Sequence, residues 1–230
     1  MPIRDNDETE HYRSFKIGDM ASLVMLDERL EGRTEPAETK EQISDDQKML
    51  GARQLAWFKD HLSDSTTRWK IIGNQVIFSD MDLSNVYGVK VNLDAWDGYP
   101  SEKEDIIDYL REEEIKNTVF LTGDTHCSWA FDVEDDGGEH VAVEIGATSL
   151  SSANIDSYTT PDSAKMTEKL ILEDNPHLRY ANIIDHGYVI ITLSEDSGIA
   201  EYYFVDDLRS DQANKRLEKT IRFSNNQIQL

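Results

Sequence analysis

Apolar positions along this chain repeat with two different periods, and each period predicts its own kind of element. The run ASLVML at residues 21–26 stops at Asp27 and predicts a short buried strand. A polar loop, EGRTEPAETKEQISDD, follows it. Over residues 47–63 the period lengthens: Leu50, Leu55, Phe58 and Leu62 share roughly one face with Trp57 alongside, which predicts an amphipathic helix. RWKIIGNQVIF predicts a strand interrupted or ended near Gly73. Ser101 and Glu104 have the spacing of a capping box, so a helix is expected from about residue 102 to 114. NTVFLTG is short and apolar, as a strand covered on both faces requires. DVEDDGGEH predicts the turn of a hairpin joining AFDV to VAVEIGATS, and SAKMTEKLILED predicts a helix. HGYVIITL and IAEYYFVDD, separated by SEDSG, predict a second antiparallel hairpin.

Strands and helices are therefore mixed along the chain, which favours a layered α/β architecture over a bundle or a pure β-sandwich. The chain has 230 residues, and no repeat, low-complexity tract or Pro-rich linker divides it, so one domain over 1–230 is expected. Composition narrows the function. Forty-six acidic residues against 23 basic ones give a formal charge of −23, a field that repels nucleic acid and anionic membrane surfaces. No run approaches the roughly 18 apolar residues of a membrane span. MPIRDNDETEHYRS lacks the apolar segment of a secretory signal, which leaves localisation unassigned by the residues alone. Cys127 is the only cysteine, so no intramolecular disulfide forms.

The chemistry concentrates in FLTGDTHCSWA, residues 120–130. In layered α/β proteins ligands gather beyond the carboxyl ends of strands. Asp124 and His126 stand at such an end, and both are good ligands for hard or borderline metals, with Gly123 expected to permit the sharp turn. The alternative is a turn aspartate and a hydrogen-bonded, partly buried histidine. Spacing alone does not choose between them.

Further blocks occur in a fixed order: LGARQLAWFKDHLSDSTTRWKIIGNQVIF, DAWDGYPSEKEDIIDYL, VFLTGDTHCSWAFDV, VAVEIGATSLSS, and NPHLRYANIIDHGYVIITL with AEYYFVD. Together they resemble the PhoD-like alkaline phosphatase/phosphodiesterase family of the calcineurin-like metallophosphatase superfamily. The resemblance covers nearly the whole chain. It implies a metallophosphatase-like β-sandwich flanked by helices, with a metal centre at one sandwich edge. It implies hydrolysis of phosphomonoesters or phosphodiesters, phospholipid-like substrates included, with calcium and iron as the metals, and export from the cell. TGDTH corresponds to the family's last metal-binding block, which makes Asp124 and His126 metal ligands by resemblance.

The family's earlier ligand blocks have no counterpart here. The chain resembles a carboxy-terminal half, so the fold is expected to be incomplete at its N-terminal side and to need a partner chain carrying the missing half. The alternative is a non-catalytic truncated remnant or binding module. Cys127 is not the family's iron-binding cysteine, which belongs to a missing block.

Other residues carry two readings each. Trp96 and Tyr99 frame a loop that either walls a substrate pocket or is simply packed. Asp97 between them is a catalytic candidate that accepts from a ligand or orients one. Asn74 is a buried amide needing partners, and the family places its block near the metals. His177 is a second catalytic candidate, with helix-end capping as the alternative. Arg29 is expected to hold phosphate bidentately, and Arg33 to form a surface ion pair.

Overall fold

The computed structural model describes residues 11–210 and 212–229. A hairpin of β1 (Arg13–Ile17) and β2 (Ala21–Met25) opens the described chain. Helix α1 (Gly51–Ser63) carries it from β2 to β3 (Trp69–Gly73), which lies parallel to β2. A short α2 (Ser84–Tyr87) and α3 (Pro100–Glu112) lead on to β4 (Thr118–Thr122), parallel to β3. Parallel neighbours need such crossovers, because no tight turn can return the chain to the same end of the sheet.

β5 (Ser128–Glu134) and β6 (His140–Gly146) form the expected hairpin, and β6 runs parallel to β4. Helix α4 (Pro161–Asp174) precedes β7 (Leu178–Asn182), which pairs with β5. These strands make one sheet of order β1-β2-β3-β4-β6-β5-β7. The second sheet is antiparallel, built from β8 (Gly187–Leu193), β9 (Gly198–Val205), β10 (Lys215–Ser224) and β11 (Gln227–Gln229) in the order β11-β10-β9-β8.

The two sheets enclose one core. Trp69, Ile71, Val119, Val143 and Ile145 of the large sheet meet Ala200, Tyr202, Phe204, Ile221 and Phe223 of the small one. On the outer face of the large sheet, Phe58 and Leu62 of α1 and Ile106 and Leu110 of α3 pack on Val24, Ile72 and Phe120. Ala164 and Ile171 of α4 pack on Phe131 and Leu178. Each such side chain contributes about 1.5–3 kcal/mol by leaving water. The architecture is a helix-flanked, layered α/β sandwich, as expected.

Local expectations fail where a distant group intervenes. α1 begins at Gly51 rather than residue 47, because the Glu102 carboxylate accepts from the Met49 and Leu50 amides at 2.7 and 2.6 Å and ends the approach there. The Ser101–Glu104 capping box does not form. Pro100 takes the first helical position, which suits its fixed φ, and Ser101 falls inside the first turn. β1, β7, β10 and β11 occupy stretches with no predicted element; six consecutive residues of β10, Lys215–Thr220, are exposed and give no apolar signal.

What matters for chemistry is the shared direction of β2, β3, β4 and β6. Their carboxyl ends align, with Met25 beside Gly73, Gly73 beside Leu121, and Thr122 beside Gly146. Asp27, Asn74, Asp124 and Thr148 therefore emerge along one edge of the sandwich.

Candidate metal and phosphate site

The turn after β4 bends through its own functional residues. Asp124 and His126 both adopt left-handed backbone, with φ of 70° and 57°. Gly123, expected to make this turn, is not in that region. Aspartate and histidine tolerate the conformation better than most residues, yet it costs on the order of 1 kcal/mol each and concentrates at functional sites. The Thr125 amide donates to the Gly123 carbonyl at 2.8 Å, and Thr148 donates its hydroxyl to the His126 carbonyl at 2.7 Å, so the end of β6 fixes the turn.

His126 Nδ1 lies 2.7 Å from the Ala153 carbonyl. A carbonyl only accepts, so Nδ1 donates, and in the neutral ring this leaves the lone pair on Nε2, the arrangement that orients a ligating histidine. Asp124 accepts from Arg29 Nη2 at 3.2 Å through Oδ1. No described hydrogen bond uses its Oδ2. The donor set of one free carboxylate oxygen and one free imidazole nitrogen fits a metal, although two ligands make only part of a coordination shell.

Arg29 reaches Asp124 from the loop after β2. Its Nη1 meets both oxygens of Asp94 at 2.9 and 2.8 Å. Arg33 secures the same Asp94, donates Nη1 to the Glu28 carbonyl at 2.8 Å, and donates Nε to Tyr99 at 2.9 Å. Its side chain is 8% exposed while Asp94 is 56% exposed, so the pair lies at the surface as expected, with the arginine covered by its other partners. Against the opposing effect of burial, both arginines hold the Asp94 carboxyl below the usual range. Tyr99 donates its hydroxyl to the Thr34 carbonyl at 3.0 Å, and the Arg33 guanidinium lies 5.1 Å from its ring centroid.

Beneath this surface runs a buried polar layer. The Asn74 side-chain amide donates to Thr122 Oγ1 at 3.2 Å and to the Val76 carbonyl, and its Oδ1 accepts from the Trp96 indole at 3.2 Å. The same indole lies 3.3 Å from the Glu28 carboxylate, which also accepts from the Gln75 and Val76 amides at 2.7 and 2.9 Å. Burial, opposed by those bonds, pushes the Glu28 carboxyl up to about 8. Thr122 passes its proton bond to Glu144 at 2.6 Å, and Glu144 accepts from the Phe78 and Ser79 amides at 2.9 and 2.7 Å. Asn74 and Trp96 thus share one network under the site. Both are fully engaged and buried.

Asp97 and His177 belong to a different set of contacts. Lys103 bonds Asp97 at 3.1 Å and also Asp80, and burial is the main cause pushing the Asp97 carboxyl up to about 6. His177 Nε2 donates to the Asp80 carbonyl at 2.8 Å, and its ring stacks 5.8 Å from that of Phe131. Both line a cavity of about 620 Å³ that includes none of Arg29, Asn74, Asp124 and His126.

Three residues outside the sequence expectations, Asp132, Glu134 and His140, bring potential metal-ligating atoms within 4.8 Å of one another. They sit at the far end of β5 and β6, about 20 Å along the strands from the Asp124 turn. Arg179 Nε and the Ile228 amide each donate to Asp132 at 2.7 Å, so both of its oxygens are engaged. Glu28, Asp94 and Glu144 were also not anticipated. Glu144 left a readable signal: it is the one carboxylate inside the apolar run VAVEIGA.

A family model described as PhoD-like phosphatase matches residues 1–202. The chain belongs to the PhoD-like phosphatase family. Alkaline phosphatase D of Bacillus subtilis (strain 168) is 28% identical over 215 residues, which is 88% of this chain and 36% of that protein. A solved structure of PhoD superposes with a TM-score of 0.83 at 26% identity, over 94% of this chain and 42% of that one. The PhoD-like chain thus spans roughly a third of its curated relative. The sandwich edge that holds the Asp124 turn lies within this shared fold.

Proposed function

We infer that this chain supplies one side of the catalytic edge of a phosphoric-ester hydrolase. The reading is carried by Asp124 and His126 on the turn beyond β4 and by the 3.2 Å contact of Arg29 with Asp124, in a member of the PhoD-like family. Asp124 and His126 are the metal ligands, one through carboxylate oxygen and one through Nε2. Metal ions, calcium and iron by family resemblance, supply Lewis acidity at a phosphoryl oxygen and a more acidic attacking water when bound.

Arg29 meets the substrate anion. Its guanidinium stands 34% exposed, with a planar fork suited to phosphate oxygens. Glu28, Asn74, Trp96 and Thr122 hold the strand ends from below, and Arg33 with Tyr99 holds the Arg29 loop from the side. Asp97 and His177 bind the neighbouring loop through Lys103 and Asp80 and have no step in this reading.

Two ligands do not complete a metal centre. The remaining ligands come from protein outside this chain, which docks where the sandwich has open edges. β1 exposes Phe15 and Ile17, and β8 exposes Ile190. The substrate is a phosphate ester, small or phospholipid-like.

The test is co-expression with the remaining portion of a PhoD-like protein, assayed on an aryl phosphodiester. Hydrolysis by the pair, lost on His126→Ala with the fold retained, supports the reading. Undiminished hydrolysis by the variant removes it. A folded pair that neither binds metal nor hydrolyses favours the non-catalytic remnant.

A further inference from the structure

The Asp124–His126 turn has a second face. Thr125 and Cys127, the residues that alternate with the ligands, line an apolar cavity of about 160 Å³ whose deep walls are Ile77, Met81, Trp129, Ile171 and Ile183. Tyr87 and Val89 form its rim and are 47% and 45% exposed, so the space communicates with solvent. Burial pushes the Cys127 thiol up to about 12, which makes it an inert part of the wall.

An apolar space of this size stays dry when empty and holds about one benzene ring. It is too small for a nucleobase with its sugar, and although Asn92 and Asp97 also line it, apolar side chains make up most of its wall. Consecutive Cα atoms lie 3.8 Å apart, so the wall at Thr125 is one residue from each proposed ligand. Thr125 also has a polar contribution: its Oγ1 accepts from the Trp129 indole at 2.8 Å, which leaves its own hydroxyl proton to donate.

We propose that this cavity seats the apolar ester group of the substrate, one aromatic ring or a short branched alkyl chain, with Thr125 donating to the ester oxygen. The proposal rests on the phosphoesterase reading, since it is the phosphate at the neighbouring turn that directs the ester group inward. It adds a selectivity that the ligand set does not provide. Esters of apolar alcohols are favoured over esters of small or charged ones.

The test measures binding rather than turnover. Phenyl phosphate, methyl phosphate and phenol are titrated into the complemented pair in calcium-containing buffer, with the Trp129 indole N–H resonance as reporter. Phenyl phosphate is expected to bind about tenfold or more tighter than methyl phosphate and to shift that resonance. Filling the cavity by Met81→Trp, or independently by Ile171→Phe, should reduce the preference to about threefold or less while methyl phosphate affinity stays put. Two variants on different elements guard against one that fails to fold. Equal affinity for the two phosphates, or a preference that survives both fillings, overturns the cavity assignment with phosphate binding intact. Phenol binding without any phosphate binding overturns the proposal through the reading it rests on. Absence of all binding overturns it outright.

Discussion

Arg29 donates to Asp124 at 3.2 Å while its other nitrogen grips both oxygens of Asp94, so the loop after β2 is tied to the turn after β4 across the intervening strand. A single guanidinium thereby fixes a proposed metal ligand and stands where an anionic substrate would approach it.

That relationship separates function from stability. Arg29→Ala is expected to reduce phosphoesterase activity of the complemented enzyme by tenfold or more, chiefly through KM, as loss of a charge-assisted contact implies. Its cost in stability should stay under about 1 kcal/mol, because the Arg29–Asp124 pair is 34% and 42% exposed. Arg29→Lys should rescue only part of the activity, since an ammonium cannot serve two carboxylates with a planar fork. Kinetics and urea melts on the same preparations check both halves. A variant that loses several kcal/mol while keeping its KM would contradict the assignment.

His126→Ala should lower bound metal and cut activity by on the order of a hundredfold or more, as loss of a ligand does. His126 is half-buried and its ring makes one described bond, to the Ala153 carbonyl, so the melting temperature should move little. Metal content by mass spectrometry is the direct readout. Unchanged metal loading in the variant would sink the assignment.

Glu28 predicts a pH dependence of defined sign. Burial raises its carboxyl from 4.5 to about 8. Below 4.5 the folded and unfolded chains both hold the proton. Between 4.5 and about 8 the unfolded chain releases it while the folded chain keeps it, so stability falls as pH rises through this window and then levels off. Glu28→Gln cannot titrate, and its stability relative to the parent should therefore improve steadily from pH 5 to pH 8. Urea midpoints at pH 5, 6.5 and 8 measure this. A difference that stays constant with pH would mean that the Glu28 carboxylate is already ionised in the folded chain.

Glu144 is fully buried and holds two amides and the Thr122 hydroxyl. Glu144→Ala strands all three donors and leaves a cavity, for an expected loss of about 3–5 kcal/mol. Chemical denaturation gives the value. A loss below about 1 kcal/mol would mean that water replaces the carboxylate readily at this position.

The charge of −23 should make stability depend on salt. Screening relieves repulsion among exposed carboxylates, so the melting temperature is expected to rise between dilute buffer and about 0.15 M salt, where the Debye length has shortened to about 8 Å. Sodium chloride and potassium chloride should act alike if screening is the cause. A melt that ignores both salts would place the carboxylates too far apart to matter.

The sequence by itself determined the elements whose burial is local and periodic. The 21–26 run became β2, NTVFLTG became β4, and the 132–140 and 194–198 turns made hairpins, because alternation and turn residues act over a few neighbours. The D-x-H motif likewise announced a strand-end turn. Tertiary structure decided the rest, since it depends on partners dozens of residues away. Glu102 set where α1 begins from more than fifty positions downstream. Asn74 and Trp96, expected at the substrate, were drawn under the site by Glu28 and Thr122, because buried amides and indoles must find partners. Lys103 gathered Asp97 with Asp80 for the same reason, as a buried ammonium requires carboxylates. Which polar groups face solvent, and so can meet a substrate, was fixed by the parallel order of β2, β3, β4 and β6. No local pattern encodes that order.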